Sequence, residues 1–286
     1  MAPSQPFSVL PLSAVAGAEV RGFDANALLS DGDFERIYQA WLDHGVVVFR
    51  NQIMTPESHE RFSQKFGPLK GHILVQYLLT GHPFTLVLSN KRVNGLPVGL
   101  EDAGRYWHSD VSYEDIPPDG SLLYALEIPP AGGDTLFANQ YRAYEALPAQ
   151  LKERLIGLKA RHVFNYAKLQ AQAGSERQPL TDEQKKQLTG AVHPVVRTHP
   201  ATQRKALYVN PGFTIAIENL PKPESDALLN ELFSYATHES VVYRHTWQPH
   251  DAVLWDNRCM MHHATTYDRK YVRHMHRTTI AGSRPY

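Results

Sequence analysis

From residue 84 onward the chain is dominated by short runs of β character, each closed by turn residues. The clearest are 84-FTLVLSN-90, 105-RYWHSDVSY-113, 121-SLLYALEI-128, 134-DTLFAN-139, 194-PVVRTH-199, 205-KALYVN-210, 213-FTIAIE-218, 241-VVYRHTW-247, 251-DAVLWDN-257 and 272-VRHMHRTTIAG-282. A chain with this many short strands buries their apolar faces by packing sheet on sheet or by closing a sheet on itself. Two further β-like runs, 7–12 and 18–23, open the sequence, and VVVF at 46–49 reads as a buried strand. Helical spacing is confined to a few places. Phe34, Ile37, Tyr38 and Trp41 recur on one helical face, with Gly45 as the C-cap. Thr55-Pro56-Glu57 starts a second helix that ends near Gly67-Pro68. A helical stretch over 140–158 and a helix over 223–238 complete the set. The expectation is a mainly β fold with flanking helices, formed as one domain over residues 1–286. Residues 165–192 are polar, carry one short helix at 181–189, and read as an insertion and candidate lid.

Several function classes are excluded at this level. Lys+Arg and Asp+Glu both number 29, so there is no excess positive charge of the kind that nucleic-acid binding needs. No run of about 18 apolar residues exists to span a membrane, and the first residues lack the pattern of a secretory signal. The single cysteine, Cys259, cannot form an internal disulfide. The expected setting is the cytoplasm, and a homo-oligomer is compatible with the sequence. Histidine, at 15 residues, is the count that calls for a chemical explanation.

In 105-RYWHSDVSY-113, read as a strand, Tyr106, His108 and Asp110 share one face while Trp107, Ser109 and Val111 share the other. An imidazole and a carboxylate so placed can reach one metal ion, yet His-x-Asp alone arises more often by chance. A third ligand is available in 255-WDNRCMMHHATTYD-268, where His262 and His263 follow an apolar strand and a polar turn. Two imidazoles and one carboxylate suit non-haem Fe(II) and oxygen chemistry. The same donors also suit zinc with an open position, the arrangement of a metallohydrolase. Further on, Arg273, Met275, Arg277 and Thr279 share one face of a strand, with His274 and His276 on the other. Two guanidinium groups on an interior face bind carboxylates through paired N–H bonds, whereas on a surface strand they are merely solvated. A non-catalytic β-fold protein that binds a small acid is the third reading of these residues.

The order 107-WHSD-110, 132-GGDT-135, then WDNR with a histidine four residues after its arginine and Arg273 and Arg277 beyond, resembles the TauD/TfdA family of Fe(II)/2-oxoglutarate-dependent dioxygenases. The likeness extends through 129-PPAGGDTLFANQYRAYEALP-148, 194-PVVRTHP-200, 207-LYVNPGF-213 and the closing MHRTTIAG, and covers roughly residues 40 to 282. It implies a double-stranded β-helix (jelly roll) core. It implies His108, Asp110 and His262 as iron ligands, with His262 rather than His263 selected by its distance from Trp255. Arg273 and Thr135 would bind 2-oxoglutarate. Arg277, Phe213, His72 and Tyr106 would face a small, anionic organic substrate such as a sulfonate, sulfate ester, aryloxyalkanoate or other carboxylate. The implied reaction consumes O2 and 2-oxoglutarate, hydroxylates a C–H bond, and releases succinate and CO2. The carboxylate of Asp110 argues against halogenation, since halogenating relatives lack it. Gly104 stands where the taurine-oxidising member has asparagine, and residues 91–104 also differ, which argues against taurine as the substrate.

Overall fold

The computed structural model describes residues 6–101, 103–165 and 179–286. An eight-stranded sheet forms its larger half. The strand order is Ser8–Pro11, Ala18–Arg21, Val46–Phe49, Ala252–Asp256, Gly120–Glu127, His274–Ile280, His82–Ser89 and Leu78–Leu79. All neighbours are antiparallel except Ala18–Arg21 and Val46–Phe49, which run parallel. A three-stranded sheet of Val242–His245, Thr135–Asn139 and Met260–Ala264 faces it. Two smaller antiparallel groups, one of Lys159–His162 with Ala191–Pro194 and Thr214–Ile217, the other of Val196–Thr198 with Lys205–Leu207, extend the smaller half.

The central strands of the large sheet are buried on both faces, so they read as continuous apolar runs rather than alternating ones. Their inner face places Val46, Val48, Leu123, Val253, Trp255 and Met275 in one core with Phe137 of the small sheet. Their outer face packs Val47, Phe49, Leu122, Leu254 and Ile280 against Ile37, Trp41 and Phe62. Those three side chains come from the helices Asp31–His44 and Pro56–Ser63. The first helix is capped by Ser30, whose hydroxyl accepts from the Asp33 amide, and ends at Gly45 with φ 68°. That left-handed conformation favours glycine, and a Cβ there would lie 2.7 Å from the sulfur of Met260. The second helix carries a reciprocal Thr55–Ser58 capping box with proline in its first turn. Behind the small sheet, Leu147, Leu151, Leu228, Leu229 and Leu232 form a third core with Ala138 and Met261. The result is helix, large sheet, small sheet, helix.

Three expectations from sequence need correction. The stretch 105–113 is not a strand: it is a turn-rich segment in which only His108 makes a β-bridge, to His262. The helical stretch 140–158 is two short helices, Gln140–Glu145 and Ala149–Arg154, interrupted at Leu147-Pro148, because proline lacks the N–H that would continue the ladder. Val111, assigned to the face opposite His108, lines the same cavity. Within the candidate lid, the short helix is present as Asp182–Gln187, while 166–178 lie outside the described residues. Among the described residues no helix is long and apolar enough to cross a membrane.

Two core histidines make stability pH-dependent. His59 and His162 are buried, and burial first of all pushes each pKa down to about 3 from 6.5. The unfolded chain therefore binds more protons than the folded one between those values, and stability is lost as pH falls below 6.5. At pH 5.5 the loss is about 1.4 kcal/mol for each residue. The thermal midpoint should drop by several degrees between pH 7.5 and 5.5, and an unchanged midpoint would contradict the buried neutral state.

Candidate active site

The cavity lies between the two sheets. On the small-sheet side, His262 sits on Met260–Ala264 directly opposite His108. The two residues exchange backbone hydrogen bonds, His108 N to His262 O at 3.1 Å and His262 N to His108 O at 2.8 Å. Side chains of a directly opposed pair fall on the same face, so the two imidazole rings stand 4.1 Å apart between centroids. Strand alternation separates the neighbours: His262 and Ala264 line the cavity, whereas Met261 belongs to the core behind the sheet and His263 packs on Trp107 at 5.5 Å. This is the physical reason that His262, and not His263, reaches the site.

Asp110 follows His108 by two residues. Val111, at φ 51°, then turns the backbone, an uncommon conformation for a β-branched residue. The turn brings Val111 and Tyr113 back to the cavity wall beside Phe213. The Oδ1 oxygen of Asp110 faces both rings, 3.7 Å from His108 Nε2 and 3.9 Å from His262 Nε2. Among the described residues, His108, Asp110 and His262 form a buried cluster whose ligand atoms lie within 4.8 Å of one another. His108 donates its Nδ1–H to the Tyr106 carbonyl at 2.8 Å, which leaves the Nε2 lone pair for a metal. Burial above all lowers the pKa of both histidines, so both are neutral at neutral pH. Burial opposes ionisation of Asp110, but the Arg277 guanidinium, helped by the Ser121 hydroxyl, outweighs it and holds the carboxyl well below the usual range. Two neutral imidazoles and one ionised carboxylate, converging in a buried pocket, fit a divalent metal ion.

The large sheet supplies the cations. Arg277 sits on His274–Ile280 and donates from Nη1 to Asp110 Oδ1 at 2.8 Å. The sequence had suggested only its pocket-facing role. Its Nε is buried with no hydrogen-bond partner among the described residues. Arg273 lies just before the same strand, and its Nε donates to the Gly133 carbonyl at 3.3 Å. Gly133 adopts φ 70°, the left-handed conformation that favours glycine. Burial lowers the Arg273 pKa to about 10, so the guanidinium stays charged at neutral pH. Thr135 also lines the cavity, and its Oγ1 accepts from Trp247 Nε1 at 3.0 Å. Because indole N–H only donates, the Thr135 proton remains available to an acceptor in the cavity. Trp247 escaped notice in the sequence, where nothing marks its distant partner.

His72, Tyr106 and Phe213 all reach the cavity. His72 accepts the Leu74 amide at Nδ1, so its proton resides on Nε2. Burial, then Arg277, pushes its pKa down to about 3. Tyr106, Tyr113, Phe164 and Phe213 form an aromatic wall, with Phe213 in edge contact with Tyr106, Tyr113 and His108. Leu86, Leu88, Leu100 and Leu123 form the opposite, aliphatic wall.

The profile of the family described as "Taurine catabolism dioxygenase TauD, TfdA family" matches residues 8–279. The chain is similar to an alpha-ketoglutarate-dependent 2,4-dichlorophenoxyacetate dioxygenase of Cupriavidus pinatubonensis, with 33% identity over 248 residues, 83% of this chain and 84% of that protein. Among solved structures it is similar to a taurine dioxygenase from Burkholderia xenovorans, with TM-score 0.81 and 35% identity, covering 98% of this chain and 90% of that one. It is also similar to AAD-2 in complex with Mn(II) and N-oxalylglycine, with TM-score 0.83 and 31% identity, covering 97% and 99%.

Proposed function

The chain belongs to the TauD/TfdA family of Fe(II)- and 2-oxoglutarate-dependent dioxygenases, and we propose that it hydroxylates a small organic acid held by Arg277 in the cavity between its two sheets. The facing sheets are read as the two halves of a double-stranded β-helix, within one catalytic domain. His108, Asp110 and His262 hold the iron. Arg273 and Thr135 hold the distal carboxylate of 2-oxoglutarate, the first as a charged donor and the second through its free hydroxyl proton. When bound, iron and 2-oxoglutarate together activate O2 to hydroxylate a substrate C–H bond, yielding succinate and CO2.

The observation that carries this reading is the convergence of three buried ligands and two arginines, from opposite sides, on one cavity. Each group has a defined task. Asp110 supplies the negative charge that a divalent ion needs, and the imidazoles supply neutral donors. Arg277 keeps Asp110 ionised with one nitrogen and brings its guanidinium charge to the cavity wall, where an anion would be held. His72 offers a neutral N–H donor beside it. The aromatic and leucine walls exclude water and hold the apolar part of the substrate near the ligands. Substrates of this kind include sulfonates, sulfate esters, aryloxyalkanoates and other carboxylates. A cytoplasmic setting belongs to the same proposal and is supported by the lone, buried thiol of Cys259.

A panel of these acids, assayed for succinate release that requires Fe(II) and 2-oxoglutarate, tests the proposal. At least one acid should be turned over well above the rate without substrate, and its neutral amide or ester should be turned over poorly. Equal turnover of acid and neutral analogue would remove the anion-binding role from Arg277.

A further inference from the structure

We infer that Ser121, Asn257 and Trp255 are positioning residues that fix which oxygen of Asp110 coordinates the metal, an inference that rests on the ligand assignment above. Ser121 donates from its hydroxyl to Asp110 Oδ2 at 2.7 Å. Asn257 donates from Nδ2 to Ser121 Oγ at 3.2 Å, and Trp255 donates from Nε1 to Asn257 Oδ1 at 2.9 Å. All four residues are at most 3% exposed, so water competes little for these hydrogen bonds.

The direction of this chain is forced by chemistry. Indole N–H can only donate, so the Asn257 carbonyl oxygen must face Trp255. The Asn257 amide NH2 then faces Ser121 and makes the Ser121 oxygen an acceptor. The single hydroxyl proton of Ser121 is left with Asp110 as its acceptor. Strand register makes the chain possible, since Trp255 and Ser121 are directly paired on neighbouring strands of the large sheet.

The consequence falls on the metal ligand. Oδ2 is tied to Ser121, so Oδ1 is the oxygen turned toward the two imidazoles. Arg277 also pulls on Oδ1, at 2.8 Å. Without the Ser121 hydroxyl, no other hydrogen bond among the described residues holds Oδ2 against rotation of the carboxylate into a two-pronged pair with the Arg277 guanidinium, the geometry arginine favours. That rotation would withdraw Oδ1 from the imidazoles. The Ser121 chain therefore holds Asp110 as a one-oxygen ligand against the pull of its neighbouring cation. Hydrogen bonds that orient ligands commonly account for about 10- to 100-fold in metal affinity.

The test is anaerobic Mn(II) titration of wild type and variants, with free Mn(II) followed by electron paramagnetic resonance and no turnover involved. Ser121→Ala should weaken Mn(II) binding by about 10- to 100-fold. Ser121→Thr, which keeps the hydroxyl, should bind close to wild type. If Ser121→Ala proves unstable, Trp255→Phe tests the far end of the chain, because it keeps a ring beside His262 and removes the donor; about tenfold weaker binding is expected. A Ser121→Ala variant that melts lower but binds Mn(II) like wild type overturns the inference, as does a loss in Ser121→Thr as large as in Ser121→Ala. Wild type that fails to bind Mn(II) overturns the ligand assignment itself, and the inference with it.

Discussion

Asp110→Ala is expected to abolish Fe(II)-dependent succinate release, whereas His263→Ala, one residue from a ligand, should retain much of it. The contrast follows from placement. Asp110 is the only carboxylate in the His108–Asp110–His262 cluster, while His263 faces Trp107 on the other side of its strand. Two effects combine in the alanine variant. The metal loses its charged ligand, and Arg277 is left buried without the carboxylate it pairs with at 2.8 Å. Breaking one half of a buried ion pair costs roughly 3–5 kcal/mol of stability. Asp110→Asn keeps the side-chain volume and an acceptor for Arg277 but also leaves the guanidinium charge unpaired. Both variants should bind metal poorly and melt lower than wild type, the alanine variant by more because it also loses the acceptor. Turnover retained in Asp110→Ala would remove it from the ligand set.

Arg273→Ala should raise the apparent KM for 2-oxoglutarate by about 30-fold or more, from the roughly 2–5 kcal/mol typical of truncating a buried, hydrogen-bonded charge partner. The KM for the organic substrate should move far less. Arg277 lies on the strand His274–Ile280 and Arg273 just before it, and the two differ in surroundings. Arg273 lies beside Gly133 and near Thr135, whereas Arg277 lies on Asp110. Steady-state kinetics with each substrate varied in turn would check the split, and equal changes in both constants would mean that the arginine roles are exchanged or shared.

The parts of this site that could be read from sequence are those encoded by short spacing. The period-two pattern over 272–282 correctly puts Arg273 and Arg277 toward the cavity and the His274–His276 pair, in ring contact at 5.2 Å, on the other face. The same rule applied to 105–113 fails in detail. His108 and Asp110 do converge, but through a bridge and a left-handed turn at Val111 that no alternation rule anticipates. Contacts between distant segments were invisible. Trp247 on Thr135, and Asn257 on Ser121, depend on strand register, which is set by the whole core rather than by local pattern. The ion pair of Arg277 with Asp110, 167 residues away, was hidden for the same reason.

The place of His274–Ile280 in the large sheet has a consequence for how the molecule comes into being. This strand follows all other strands of the sheet in chain order, yet it lies inside it, between Gly120–Glu127 and His82–Ser89. Until it is synthesised, both of those strands present an open edge to one another across a gap. Closing such non-local pairings is slow, and an unpaired edge invites association with other chains. The same strand brings Arg277, with Arg273 just before it. A nascent chain therefore lacks both arginines while the sheet is incomplete, and insertion of this one strand completes the sheet and the anion-binding side of the cavity together.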